Sequence, residues 1–201
     1  KLFWFMYLKN KLISLFLLLF ILACEPVEII SPLEYDISKL AIISINSNKI
    51  KVNSDYNPVF SEFNIEDQLK NPPILQIQDW IKQNIRSFGN LNEFVINILD
   101  ASITKKEIDN LEAKKYEEKT IYLYEVFFLV EYELYDDAGY LLANTTVESS
   151  RSTTSQKFIS LNETELIIYD VINKSLLDFT NESKSMIQLY MQEYTQWLIF
   201  P

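Results

Sequence analysis

The chain has 201 residues, with 28 acidic and 18 basic side chains and a formal net charge of -10 at pH 7. It contains no histidine and only two glycines, which excludes the commonest general base, the usual zinc ligand and the glycine-rich loops that bind nucleotides. So acidic a chain also lacks the clustered Lys and Arg that neutralise phosphates, and no nucleic acid partner is expected.

The N-terminal region has the order of a secretory signal. Lys9 and Lys11 precede an apolar run over residues 12–23, and the single cysteine, Cys24, follows that run. A membrane-spanning helix needs about 20 apolar residues, so this shorter run favours a cleaved signal. A retained span stays open as an alternative, because residues 2–8 are apolar too. For Cys24 the alternative is a buried, structural thiol.

The string Ile21-Leu22-Ala23-Cys24 resembles the lipobox of bacterial lipoprotein precursors. The resemblance implies that residues 1–23 are a signal peptide, and that Cys24 carries lipid on its sulfur and usually on its new amino group. Two or more acyl chains hold a protein firmly at a membrane. Glu25 stands where an aspartate often retains such proteins at the inner membrane, so the outer membrane, facing the periplasm, is expected rather than the inner one.

The segment after the cysteine predicts a tether. Residues 24–38 contain two prolines and sustain no hydrophobic period. Residues 39–201 are then long enough for a single domain with its own core. The start of translation is expected either upstream of Lys1 or at Met6.

The first strand signals are short. Residues 39–45 are rich in β-branched side chains, residues 46–48 are polar, and residues 49–52 alternate polar and apolar side chains. This pattern predicts two strands joined as a hairpin. Residues 54–73 contain three prolines and predict an ordered loop.

A helix is predicted next, because apolar residues recur at steps of three and four between Ile74 and Phe88. It is expected to end at Gly89. Trp80 falls to one side of the apolar stripe, and it is either an exposed anchor for a partner or a ring packed at the rim of the core. Packing at the rim is the favoured interpretation.

Three strands are predicted in the central part of the chain. Residues 93–104 form the first, residues 105–119 a charged and solvated connection, and residues 120–135 the longest strand. One face of that strand is uniformly apolar or aromatic and is expected to be buried. The other face is mixed and carries Leu123, Glu125, Phe127, Leu129, Glu131 and Glu133.

The mixed face holds the candidate contact residues. Leu123, Phe127 and Leu129, together with Trp80, are the side chains that we expect to meet a partner if the domain has one. The alternative is that the three residues of the strand are covered by a helix or by the long loop of the same chain.

The C-terminal part predicts a hairpin and a long helix. Residues 136–139 form a turn, and residues 140–155 a hydroxyl-rich strand that fits a sheet edge or a polar face. Ser160 and Glu163 form a capping box before a long apolar stripe, which is expected to bend near Asn181. Residues 197–201 are expected to dock against the sheet; membrane insertion and partner capture remain alternatives.

The order strand, strand, helix, three strands, helix predicts an α+β domain. We expect an antiparallel sheet of about five strands with two main helices packed on one face. The pattern of Pro72 and Pro73, Trp80, Arg86 and Gly89, followed by three strands and a capped helix, also resembles small uncharacterised lipoproteins of the alphaproteobacterial envelope, a resemblance that implies no activity.

Two functions follow from these patterns. The first is a non-catalytic binding or assembly factor, held at a membrane through Cys24, whose partner is another envelope protein or a lipid-like ligand; it needs no catalytic residue, metal or cofactor. The alternative is a carboxylate-dependent hydrolase of periplasmic glycans that uses Glu131 and Glu133, with Asp136 and Asp137 nearby. A pocket between two carboxylates would favour the hydrolase.

Overall fold

The computed structural model describes residues 36–58 and 61–195. Cys24, the predicted signal peptide and the apolar residues 197–201 lie outside the described residues. The strands are β1 Ile43–Ile45, β2 Lys49–Ser54, β3 Ile85–Ser87, β4 Glu93–Asp109, β5 Thr120–Tyr135 and β6 Leu141–Ser155. The helices are α1 Pro73–Asn84 and α2 Leu161–Tyr190, with single 3-10 turns at Ile37–Lys39, Glu66–Gln68 and Gln192–Tyr194.

The main sheet has four strands in the order β2-β4-β5-β6, and β1 pairs with β3 in a separate two-stranded sheet. β2 runs parallel to β4 and β1 runs parallel to β3, whereas the β4–β5 and β5–β6 pairs are antiparallel. The predicted α+β class is confirmed, but the sheet has four strands instead of five and is not wholly antiparallel.

The predicted hairpin between the first two strands is wrong. Each of these strands pairs with a strand much later in the chain, so Ile43 lies opposite Ile85 and Lys49 lies opposite Glu93. The connection between them leads from one sheet to the other. The amide of Asn48 donates to the carbonyls of Leu91 and Asn92, just before β4, instead of closing a turn.

Helix α1 ends at Asn84, earlier than the sequence pattern indicates, because Ile85–Ser87 leaves the helix to pair with β1. The Asn84 side-chain amide donates to the carbonyls of Ile37 and Leu40, at 3.1 Å each. Gly89 serves close packing rather than the end of the helix. A Cβ there would collide with the Asn46 side chain and would lie 3.0 Å from the amide nitrogen of Ser47.

The alternating face of β5 predicted to be buried forms the centre of the core. Its buried side chains are Tyr124, Val126, Phe128, Val130, Tyr132 and Leu134. Helix α2 packs on this face, with the rings of Phe128 and Phe179 5.2 Å apart and the Tyr132 hydroxyl 3.0 Å from Ser183 Oγ. Helix α1 packs against the same core through Trp80, whose ring meets Phe179 edge-on at 5.9 Å.

Helix α2 begins as predicted, because Ser160 and Glu163 form both hydrogen bonds of a capping box. It continues without interruption to Tyr190, so the polar residues near Asn181 do not break it. Thr180 and Ser183 are buried there, and their hydroxyls bond to the Leu177 carbonyl and to Tyr132. Of the helices in the described ranges, none combines the length and the apolarity needed to cross a membrane.

Candidate functional site

The candidate site is the face of the main sheet opposite the helices, called here the open face. Alternate residues of a strand point to opposite sides of a sheet. Because Phe128 and Tyr132 face α2, the candidate contacts Leu123, Phe127 and Leu129 belong to the open face. Each of the three is half-buried. Both described helices pack on the core side of the sheet, away from these three residues. Neither helix therefore covers them, in contrast to one of the alternatives given above.

Leu123, Phe127 and Leu129, called here the apolar row, lie on the open face of the central strand β5, with Glu125 between Leu123 and Phe127. The Glu125 carboxylate lies 3.9 Å from the Lys106 ammonium. From its first to its last residue the apolar row spans six residues, or about 20 Å at ~3.4 Å per residue. The row has polar strands on both sides: Phe127 lies between Ser102 of β4 and Ser150 of β6, and Leu129 lies opposite Glu148. Hydroxyls and charges on the neighbouring strands, together with Glu125, thus surround Leu123 on one side and the adjacent pair Phe127 and Leu129 on the other.

Beyond Leu129 the open face changes to a ladder of amides and acids. Asn53 Nδ2 donates to Asn97 Oδ1 at 2.8 Å, and Asn97 Nδ2 donates to Glu131 at 3.2 Å and to Glu133 at 2.9 Å. Tyr135 donates to Glu133 at 3.0 Å, and this hydrogen bond to a carboxylate raises the pKa of the Tyr135 hydroxyl. A cleft of about 640 Å³ lies over this end of the sheet.

The four acids of the hydrolase alternative all have structural partners. Glu131 and Glu133 share the Asn97 amide. Asp136 accepts from two backbone amides of the β5–β6 turn, at 2.9 and 2.8 Å, and Asp137 accepts from the Asn92 amide at 3.2 Å. Within the described ranges, no group of three metal-ligating side chains comes together. Glu133, Asp136 and Asp137 line the cleft over this end of the sheet, which is the one feature that the hydrolase alternative requires. Each of the three is already engaged in the hydrogen bonds given above, so we do not carry the hydrolase forward as the proposed function.

Trp80 lies in the core and not at its rim. Its side chain is fully buried, and its indole Nε1 donates to the Ala41 carbonyl at 2.9 Å. A side chain in this position offers no surface to a partner. The apolar row and Trp80 are therefore on opposite sides of the sheet.

Glu66, Tyr56 and Asp100 form a buried cluster that no local sequence pattern predicts. Glu66 is 5% exposed, and its Oε1 accepts from the Tyr56 hydroxyl at 2.8 Å and from the Ile103 amide at 2.9 Å. Burial, then the hydrogen bond to Glu66, raises the pKa of Tyr56. Asp100 follows a register shift in β4, and burial together with the Glu66 charge raises its pKa. The cluster fastens the loop before α1 to β4.

No family model and no curated protein matches the chain. Among solved structures, a minor lipoprotein of Acinetobacter baumannii is 13% identical with a TM-score of 0.38, and covers 69% of this chain and 93% of its own. A Xanthomonas campestris protein of the family DUF330 is 11% identical with a TM-score of 0.38, covering 77% and 90%.

A third structure, rare lipoprotein B of Shewanella oneidensis, is 14% identical with a TM-score of 0.36, and covers 69% of this chain and 94% of its own. Two of these three structures are named as lipoproteins. At these TM-scores the similarity is partial, and it assigns this chain neither a family nor a function.

Proposed function

We propose that this chain is a lipoprotein of the bacterial envelope, anchored through Cys24, whose domain is a non-catalytic binding or assembly factor. The partner is another envelope protein or a lipid-like ligand, and the outer membrane, facing the periplasm, is the proposed location. The observation that carries the binding role is the apolar row on the open face, since both described helices pack on the other side of the sheet.

The charge of the chain supports an anchor made of acyl chains. At a net charge of -10 the protein is repelled by anionic lipid headgroups, so electrostatics does not hold it at a membrane surface. Two or more acyl chains on Cys24 would hold it there without help from the domain.

The size of the apolar row supports a specific but modest contact. Because Glu125 interrupts the row and its three apolar side chains are half-buried, a partner that covers them removes on the order of 100 Å² of apolar surface from water, worth roughly 2 to 3 kcal/mol at ~25 cal/mol per Å² before the costs of association. The polar residues on either side of the row would then form the rim of the contact, as they do in ordinary interfaces.

Metabolic labelling tests the anchor. The full-length chain is expressed in a bacterium with labelled palmitate, and we expect label in the mature protein and none in Cys24→Ser, which should also leave the membrane fraction. Persistent labelling of Cys24→Ser, or a mature protein recovered without lipid, would contradict the anchor while leaving the open face untouched.

Co-purification from native membranes tests the open face. Phe127→Ser and Leu129→Ser should each lower the recovery of the partner by tenfold or more, because each removes apolar contact area. The matched control is Leu189→Ser, which changes a leucine that is 67% exposed on α2. Equal recovery with all three variants, each shown to be folded by circular dichroism, would refute the open face as the contact.

A further inference from the structure

The two edges of the main sheet differ in how they are protected. An unpaired strand edge is a template for pairing with another chain, and proteins guard such edges with short strands, lysines or prolines. Edge strand β2 follows this rule, because it has only six residues and carries Lys49 and Lys51. Lys49 is paired with Glu93 at 2.8 Å. The β2 edge is thus protected against pairing with a strand of another chain.

The opposite edge strand, β6, has none of these guards. It has 15 residues, contains neither lysine nor proline, and is rich in serine and threonine. Its charged residues are Glu148 and Arg151, and the Arg151 Nε donates to Asp178 of α2 at 2.8 Å, so the guanidinium is held over the helix. No described strand pairs with its outer side.

We infer that the outer edge of β6 binds an extended segment of a partner protein, which adds to the main sheet as a fifth strand. In this mode the backbone N–H and C=O groups supply the affinity and the alternate side chains supply the specificity. The inference goes beyond the proposed role of the open face, since it uses the backbone of β6 and not the apolar row.

The position of helix α2 limits which kind of chain can pair with the outer edge of β6. It lies mainly over β6 and less over β5. If two copies of β6 paired antiparallel about a two-fold axis, both copies of α2 would lie on the same side of the joined sheet. Paired strands are about 4.8 Å apart, whereas packed helices need about 8 to 10 Å between their axes. A second copy would therefore bring its α2 close to the first, whereas a segment with no layer of its own on that side meets no such obstacle, and such a segment is the occupant that we infer.

The side chains of β6 indicate which residue types the partner segment should carry. From Asn144 onwards the open-face positions of β6 carry one amide, then hydroxyls and a single acid, Glu148, and a cross-strand basic residue is a favourable neighbour of a carboxylate. The expected segment thus has β-branched or hydroxyl side chains at alternate positions and a lysine or arginine opposite Glu148. A partner of net positive charge also suits a chain whose net charge is -10.

Photo-crosslinking in native membranes tests the pairing. A benzophenone-bearing residue replaces Thr146, Ser149 or Ser152 in the full-length lipoprotein, and the joined residues are identified by mass spectrometry. Thr146 and Ser152 face the open side of the sheet, and Ser149 faces α2. If a partner strand pairs with β6, all three positions must crosslink to one contiguous partner segment. The crosslinked partner residue must also shift along that segment as the probe moves along β6. The control position is Val52 on β2, where no such series is expected.

Hydrogen exchange provides a second measurement on the same membranes. The outward half of the β6 amides should exchange at least tenfold more slowly there than in the purified lipoprotein. Crosslinks between two copies of the chain, to residues 24–35 of the same chain, or to scattered partner residues would overturn the inference, as would the absence of any adduct. The crosslinked series should persist in Phe127→Ser, which separates this edge from the open face.

Discussion

Replacing Trp80 by phenylalanine tests whether this side chain belongs to the core. The change removes the hydrogen bond from Nε1 to the Ala41 carbonyl and part of a fully buried ring system that touches Phe179. The lost hydrogen bond is worth about 1 kcal/mol, and the missing ring atoms with the space they leave about 1 to 2 kcal/mol. We therefore expect Trp80→Phe to lower the free energy of unfolding by about 2 to 3 kcal/mol.

Urea unfolding followed by far-ultraviolet circular dichroism measures this loss. The transition midpoint should fall with an unchanged m-value, since the surface exposed on unfolding is nearly the same. The control is Leu75→Ala on the same helix, a residue that is 45% exposed, which should cost less than about 0.5 kcal/mol. A Trp80→Phe variant as stable as this control would refute the core position and return Trp80 to the candidate contacts.

Three further predictions concern buried acids and helix capping. Glu66→Ala leaves the Tyr56 hydroxyl and the Ile103 amide without their acceptor and should cost about 2 to 4 kcal/mol in urea unfolding, whereas Glu66→Gln keeps an acceptor and should cost under about 1 kcal/mol. Burial and then Glu66 raise the pKa of Asp100 above its unfolded value, so stability falls as pH rises from the ordinary Asp pKa through the raised one. Asp100→Asn should consequently raise the melting temperature at pH 7 and not at pH 3; an equal effect at both would contradict the shift. Ser160→Ala removes the N-cap of α2 and should cost about 1 kcal/mol, against no change for Ser185→Ala, an exposed serine within the same helix.

The parts of the fold that local sequence determines were predictable. Strand β5 has a two-residue alternation long enough to fix which face is buried, and the turn that follows supplies Gly139 at a φ of 85°. The start of α2 was equally local, because Ser160 and Glu163 satisfy each other within a single turn.

The parts that depend on distant partners were not predictable. β1 and β2 look like a hairpin, yet each gains its hydrogen bonds from a parallel strand roughly 40 residues later, and no local signal specifies such pairing. Ile85 continues the apolar spacing of α1, but its pairing with Ile43 outweighs the helical preference of one more turn.

The candidate site was predicted in part for the same reason. The mixed character of the open face is a local property of β5, so the placement of Leu123, Phe127 and Leu129 on the face opposite the core was predictable from sequence. Their contact with a partner stays a prediction. The burial of Trp80 depends on the Ala41 carbonyl and on Phe179, which come from elements far away in the chain. The Glu66 cluster likewise joins a loop to β4 across 37 residues.

A photo-reactive residue at Phe127, read in native membranes, tests the central claim most directly. The account predicts a defined adduct with one partner at Phe127 and none at Leu189, the exposed leucine of α2 on the other side of the molecule. Equal labelling at the two positions, or no adduct at Phe127 in a folded and lipidated protein, would contradict the claim that the open face is where this domain binds.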